Sequence, residues 1–141
     1  MFRIYYCADI SRIKKISNNQ ISLFSGIEFN VNPDLGLNVF CDFIISLSTQ
    51  QIVLKAPVIT LVEAKNDNLR NGLAQCMAEM LAAQIFNQSK GKEIPKIYGV
   101  ITTGNAWQFI ELESKTIVID LEEYSVYNLP NILGILTSFV C

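Results

Sequence analysis

The chain has 141 residues, of which 50% are hydrophobic and 17% are charged, and its net charge is −2 at pH 7. This balance predicts one globular domain and excludes a disordered chain, and no apolar run reaches the roughly 18 residues that span a bilayer. The chain contains no histidine, which excludes Ser-His-Asp and Cys-His catalysis and zinc sites of the usual spacing.

The N-terminal part of the chain predicts a short helix and then a β-hairpin. Residues 8–16 form the helix, and SNNQ at 17–20 forms a turn. Strands are predicted over 21–31 and 37–48, because both segments are rich in Ile, Phe and Val. Between them stands NPDLG, in which Pro and Gly favour a reverse turn, so the two strands form a hairpin.

A third strand and a helix follow. Residues 58–65 are apolar on both faces until Glu63, which predicts a central strand, and NDN at 66–68 offers side chains that cap a helix. The helix is predicted over 69–86 and is apolar on more than one face, which predicts burial on more than one side. Its apolar positions at helical spacing are Leu69, Leu73, Met77, Met80 and Leu81, and its small-residue stripe is Ala74, Ala78 and Ala82.

The last third of the chain returns to strands. Residues 96–103 and 107–112 are predicted strands joined by a tight turn at Gly104-Asn105, and 115–121 is a sixth strand. The segment 132–140 is either an amphipathic helix or a final strand. The order predicts an α/β (α+β) fold, in which a mixed sheet contains a crossover helix after the third strand.

Three charged residues can form a site at the edge of this sheet. Because side chains alternate along a strand, Glu63 and Lys65 point to the same face. Asp42 lies in the preceding strand, so the two carboxylates converge if those strands are neighbours. Two carboxylates on rigid strands suit Mg²⁺, and a lysine beside them can orient a water molecule, or assist its deprotonation if its own pKa is lowered.

Asp42, followed by Glu63-Ala64-Lys65 at the end of an apolar strand and then by a helix, resembles the core of the PD-(D/E)XK nuclease-like superfamily. The resemblance covers residues 20–112, and the chain is similar to cyanobacterial members of the superfamily. It implies a restriction-endonuclease-like mixed sheet flanked by helices, which binds Mg²⁺ or Mn²⁺ and hydrolyses DNA. Residues 1–141 would form one such domain.

The resemblance also implies roles for individual residues. Asp42 and Glu63 would bind the metal together with the Ala64 carbonyl, and Lys65 would be the catalytic lysine. Gln75 is similar in placement to a glutamine that several branches of the superfamily share. Glu79 occupies the position that a tyrosine has in the QxxxY motif of those branches. Many members carry a glutamate on a helix before the first strand, and this chain has none there, so its N-terminal helix is short or incomplete relative to the family.

Two functions from different classes follow. The first is a Mg²⁺-dependent endonuclease with DNA as its partner, although the net charge of −2 argues mildly against nucleic acid. The second is a catalytically inactive nuclease-fold module for protein interaction or oligomerisation, for which the low charged fraction predicts a homodimer. The first residues, MFRIYYCADI, lack the layout of a signal peptide, so a cytoplasmic location without a membrane partner is expected.

Overall fold

The sequence forms a mixed β-sheet, described in a computed structural model for residues 21–32, 34, 37–49, 54–65 and 69–140. The helix predicted over 8–16, the turn over 17–20 and the capping residues 66–68 lie outside these ranges. Within them, no helix is long and apolar enough to cross a membrane.

Seven strands and two α-helices are present in the described ranges. The strands are β1 (Ser22–Asn32), β2 (Leu37–Ser46), β3 (Val58–Ala64), β4 (Lys96–Thr102), β5 (Ala106–Glu113), β6 (Thr116–Ile119) and β7 (Tyr124–Ser125). The helices are α1 (Arg70–Ser89) and α2 (Leu129–Val140), and a 3₁₀ turn at Val126–Asn128 precedes α2.

The sheet order is β1-β2-β3-β4-β5-β6, and β7 pairs with β5. Among these pairings, β3 and β4 alone are parallel, because α1 crosses between them, and every other pair is antiparallel. The predicted mixed α+β class with a crossover helix is therefore confirmed. The six predicted strands and the helix predicted over 69–86 lie within three residues of the observed bounds. The segment 132–140 belongs to a helix, and β7 was not predicted.

The two helices cover opposite faces of the sheet. The buried apolar residues form two clusters, one on each face of the sheet. Ile44 of β2 packs in the cluster that contains Cys76 of α1, whereas its neighbour Phe43 packs in the cluster that contains Ile132 of α2. Side chains of successive strand residues point to opposite faces, so each cluster is one layer of core. The central strands are buried on both sides, which explains their apolar sequence.

The face that α1 turns to the sheet is not its most hydrophobic one. Leu81, which the helical spacing predicts to be buried, is 44% exposed. The buried residues of α1 are instead Gly72, Cys76, Glu79, Met80, Ala82, Ala83 and Asn87. The absence of a side chain at Gly99 of β4 allows this face of α1 to pack on the sheet. A Cβ on Gly99 would lie 2.6 Å from Met80 Sδ and 2.7 Å from Cys76 Sγ. The helix therefore approaches the sheet more closely than larger side chains would allow.

The side chain of Asn87 fixes one end of α1 against β3. At the far end of the helix, the buried Asn87 side chain accepts from the Val58 N–H at 2.8 Å and donates to the Val58 carbonyl at 2.9 Å. At the near end, Leu69 is the N-cap residue and makes no side-chain capping bond. The helix thus lies along β3, with its N-terminus at the strand end that carries Glu63 and Lys65.

Candidate active site

Asp42 lies at an irregular point of the sheet. Cys41 and Ile44 both pack in the core layer that contains α1, although residues three apart on a regular strand face opposite sides. On β1 the residue opposite Asp42 is Gly26, whose φ is +63°, a left-handed conformation that glycine adopts without strain. Both strands therefore change the direction of their side chains at this pair.

The side chain of Asp42 extends toward the neighbouring strand β3 and forms a hydrogen bond with its backbone. Its Oδ2 accepts a hydrogen bond from the Ala64 N–H at 2.9 Å. Phe43 pairs with Val62 in the antiparallel ladder, so Asp42 and Glu63 are the next residues along the two strands. Burial raises the pKa of Glu63, and the negative charge of Asp42 acts in the same direction.

Glu63 and Lys65 lie on the face of β3 that α1 covers. Lys65 Nζ is 2.9 Å from Glu63 Oε1, and the side chain of Lys65 is 25% exposed whereas that of Glu63 is 3% exposed. The carboxylate is therefore at the bottom of the site and the ammonium is at its mouth. A buried carboxylate needs such a partner, because desolvation of an unpaired charge is costly.

Gly72 makes room for this pair. A Cβ at Gly72 would lie 2.8 Å from Ile101 Cγ2, 3.2 Å from Lys65 Cγ and 3.4 Å from Glu63 Cγ. The first turn of α1 therefore contacts the aliphatic parts of both charged side chains. This glycine holds the pair in place through packing, a role that the sequence pattern did not predict.

Two side chains of α1 complete the site. Gln75 Oε1 accepts from Lys65 Nζ at 3.0 Å, and Gln75 Nε2 donates to Glu79 Oε1 at 3.2 Å. The two helical residues are four apart, so they lie on the same face. Glu79 is fully buried and makes a side-chain hydrogen bond with Glu63.

The four side chains Glu63, Lys65, Gln75 and Glu79 form a closed ring of hydrogen bonds. Lys65 donates to both Glu63 and Gln75, Gln75 donates to Glu79, and the two glutamates meet. Two oxygen atoms of the ring, Glu63 Oε2 and Glu79 Oε2, are buried, and no described amide, hydroxyl or ammonium group donates to either. A contact between two carboxyl groups requires a proton on one of them.

The proton resides on Glu79. Burial, then the hydrogen bond to Glu63 and the charge of Glu63, raise the pKa of Glu79 to about 9. Burial also raises the pKa of Glu63, although its hydrogen bonds to Glu79 and Lys65 act in the opposite direction. We assign the proton to Glu79 because Glu63 has the ammonium of Lys65 beside it. The hydrogen bond to Glu63 raises the pKa of Lys65, so this side chain is a cation at neutral pH.

The structure brings together all the side chains that the sequence predicts to form the site. Asp42, Glu63, Lys65 and Gln75 lie around the end of β3, and Ala64 is in the same cluster through its amide. Glu79 departs from the QxxxY motif and is not among the predicted site residues, yet it is part of the site. Its position four residues after Gln75, in a helix stripe that is otherwise small or apolar, is the sequence feature that could have identified it.

The oxygen atoms of this cluster fit a divalent cation. Carboxylate and carbonyl oxygens are the ligands that Mg²⁺ prefers, and the undonated Glu63 Oε2 and Glu79 Oε2 have free acceptor capacity. In the part of the chain that the structure describes, no group of three or more Asp, Glu or Cys side chains already surrounds a common cation position. Asp42 Oδ2 is engaged by the Ala64 amide.

No protein-family model, no curated protein and no solved structure matches the chain. What the chain does is therefore inferred from its own side chains.

Proposed function

We propose that the chain is a PD-(D/E)XK nuclease-like domain that hydrolyses phosphodiester bonds of DNA with Mg²⁺ or Mn²⁺. The observation that carries the proposal is the meeting of Asp42, Glu63 and Lys65 at the ends of two paired strands, with Lys65 Nζ 2.9 Å from Glu63 Oε1. A mixed sheet with one helix on each face supports a restriction-endonuclease-like arrangement. The crossover through α1 between the parallel strands β3 and β4 supports it further.

The carboxylates of Asp42 and Glu63 and the carbonyl of Ala64 would hold the cation. All three belong to β2 and β3, which the sheet holds rigidly at the strand ends. A divalent cation supplies positive charge that stabilises the charge developing on a phosphate group during hydrolysis.

Lys65 acts as a positive charge and as a hydrogen-bond donor. The sequence left open whether it assists deprotonation of a water molecule, which would need a lowered pKa. Its pKa is raised instead, so it stays protonated and cannot accept a proton at neutral pH. Gln75 Oε1 and Glu63 Oε1 orient two of its N–H groups, and the partly exposed side chain leaves a third donor for a phosphate oxygen or a water molecule.

The approach to the site suits an anionic substrate. Asp42, Lys65 and Gln75 are only partly buried, so the site is open on the side away from the buried glutamates. Arg70, which is exposed, begins α1 beside this opening, and the first turn contains no acidic residue. The positive end of the helix dipole therefore points toward the place where a phosphate group would enter.

A cleavage assay with a matched pair of lysine variants tests the proposal. Lys65→Ala removes the ammonium of the site, whereas Lys96→Ala removes a strand lysine that pairs with Glu111 away from the site. We expect cleavage of DNA by the parent chain and by Lys96→Ala in Mg²⁺ or Mn²⁺, none in a chelator, and none by Lys65→Ala. If Lys65→Ala keeps the parental circular dichroism spectrum and the parental cleavage rate, the proposal is wrong.

A second candidate function is an inactive nuclease-fold module that associates with a second copy of the chain. The observation that favours it is an apolar groove of about 500 Å³ between α1 and the β5–β6 hairpin. Leu81 and Ile117 line this groove and are 44% and 39% exposed. Analytical ultracentrifugation of the parent and of Leu81→Glu distinguishes the two functions, because an obligatory homodimer would be lost in the variant and a monomeric enzyme would not change.

A further inference from the structure

We propose that Glu79 is a third carboxylate ligand of the cation, supplied by α1 in addition to the two carboxylates from the strands. The inference rests on the proposed function, since it concerns the same site. Its basis is the pair of buried oxygen atoms, Glu63 Oε2 and Glu79 Oε2, which belong to contacting side chains and receive no hydrogen bond from a described amide, hydroxyl or ammonium group.

The geometry of the ring directs Glu79 toward the site. Its Oε1 is held by Gln75 Nε2 at 3.2 Å, and its Oε2 is buried and receives no hydrogen bond from a described amide, hydroxyl or ammonium group. Glu63 is held in the same way, with Oε1 on Lys65 Nζ and Oε2 free of a donor. Each carboxyl group therefore has one anchored oxygen, and its other oxygen can bind a cation once the proton between the two groups has left, which is a common arrangement of metal-binding carboxylates.

The position of Glu79 is not explained by packing. Its neighbours Cys76 and Met80 on the sheet-facing side of α1 are both fully buried, and so is Glu79. A carboxyl group in such a layer costs stability relative to an apolar residue of similar size, unless its polar atoms are satisfied. One oxygen atom of Glu79 is satisfied by Gln75, and a cation would take the place of the proton that Glu79 shares with Glu63.

The charges of the site also favour a third ligand. Asp42 and Glu63 together with the ammonium of Lys65 leave one net negative charge for the cation. An ionised Glu79 would add a second negative charge, which matches a divalent ion. Three carboxylates and a carbonyl would still leave room for the water molecules that Mg²⁺ and Mn²⁺ retain in their octahedral shells.

Calorimetric titration with Mn²⁺ tests the role of Glu79 without depending on catalysis. Glu79→Gln keeps the shape of the side chain, the acceptor for Gln75 and a donor for Glu63, and removes only the ionisable group. Glu123→Gln is the matched control, because Glu123 is exposed and lies outside the site. We expect the parent and the control to bind Mn²⁺ equally and Glu79→Gln to bind at least about tenfold more weakly.

The outcomes separate the two proposals. If the parent binds Mn²⁺, Glu63→Gln loses the binding and Glu79→Gln retains full affinity, Glu79 is not a ligand and the proposed function stands. If the parent itself shows no binding, the proposed function and the role of Glu79 both fail. Should Glu79→Gln not fold, the number of protons released by the parent on binding Mn²⁺ gives a second test. Glu79 can bind the cation only after it loses its proton, so calorimetry at pH 7 in buffers of different ionisation enthalpy must show the release of about one proton, and binding without proton release excludes Glu79.

Discussion

Glu79 of α1 and Glu63 of β3 are hydrogen-bonded to each other through their buried carboxyl groups. The contact joins the helix to the strand at the candidate active site, and it exists because one of the two groups carries a proton. Gln75 and Lys65 close the ring on the other side, so the helix supplies Glu79 and Gln75 and the end of the strand supplies Glu63 and Lys65. The chemistry of the site and the stability of the fold therefore depend on the same side chains.

The stability of the metal-free protein should fall as the pH rises from about 5 to about 8. The pKa of Glu79 is about 9 in the folded chain, above that of a glutamate in the unfolded chain. In this range the unfolded chain loses the proton and the folded chain keeps it, so the free energy of unfolding falls with pH. The slope for one proton is at most about 1.4 kcal/mol per pH unit. Urea denaturation at a series of pH values measures it.

Glu79→Gln provides the control for this pH dependence. The amide keeps the hydrogen bond from Gln75 and donates to Glu63, but it cannot ionise. We expect the slope to become clearly shallower, with a remainder due to Glu63, whose pKa is also raised. A variant with the parental slope would show that Glu79 is not the group that holds the proton.

Gly72→Ala should destabilise the fold and disturb the site. The added Cβ would lie 2.8 Å from Ile101 Cγ2 and 3.2 Å from Lys65 Cγ, so the first turn of α1 must move away from β3. We expect a loss of about 1–3 kcal/mol in the free energy of unfolding, together with weaker Mn²⁺ binding.

Gly134→Ala is the matched control for this glycine. Gly134 is an exposed helix residue whose added Cβ would meet no atom within 4 Å. Because alanine favours helix, we expect the stability to stay equal or to rise by up to about 1 kcal/mol. Equal effects of the two substitutions would contradict the tight contact between α1 and the Glu63–Lys65 pair.

Gln75→Ala should open the ring of hydrogen bonds. It removes the donor to the buried Glu79 Oε1 and the acceptor that holds Lys65 Nζ. Leaving one buried oxygen without a donor costs about 1–3 kcal/mol, so the free energy of unfolding should fall by this amount. Gln88→Ala, on the exposed side of the same helix, should change it by less than about 0.5 kcal/mol. Equal stabilities of the two variants would indicate that Gln75 does not support the ring.

Asn87→Ala tests how β3 is held at its other end. The side chain satisfies both the N–H and the carbonyl of Val58 in the buried interface with α1. Truncation leaves two buried backbone groups without partners, and we expect a loss of roughly 2–4 kcal/mol in the free energy of unfolding. A loss below about 0.5 kcal/mol would mean that water or another side chain replaces this contact.

Much of the fold could be predicted from local sequence patterns. Alternation places Glu63 and Lys65 on one face of a strand, and apolar residues on both faces identify β3 as central. The orientation of α1 could not be predicted in this way. Its more hydrophobic stripe includes the exposed Leu81, whereas the buried stripe contains Glu79 and Asn87, whose partners belong to β3.

Parts of the site depend on long-range geometry. Asp42 reaches the Ala64 amide because β1 and β2 are irregular at that point, and Gly26 alone gives little indication of this in the sequence. The two-residue strand β7 is too short to show a periodic pattern. Glu79 could be placed only once the parallel pairing of β3 and β4 fixed the helix above Glu63.

The most direct measurement is calorimetric titration of Mn²⁺ into the parent chain and into Asp42→Asn. Asparagine retains an oxygen acceptor for the Ala64 N–H, so the strands stay paired while the charge of one proposed ligand is removed. We predict one Mn²⁺ bound by the parent and a loss of affinity of at least about tenfold in the variant. Absence of binding to the parent, or equal affinity in the two proteins, would contradict a cation site built on Asp42 and Glu63.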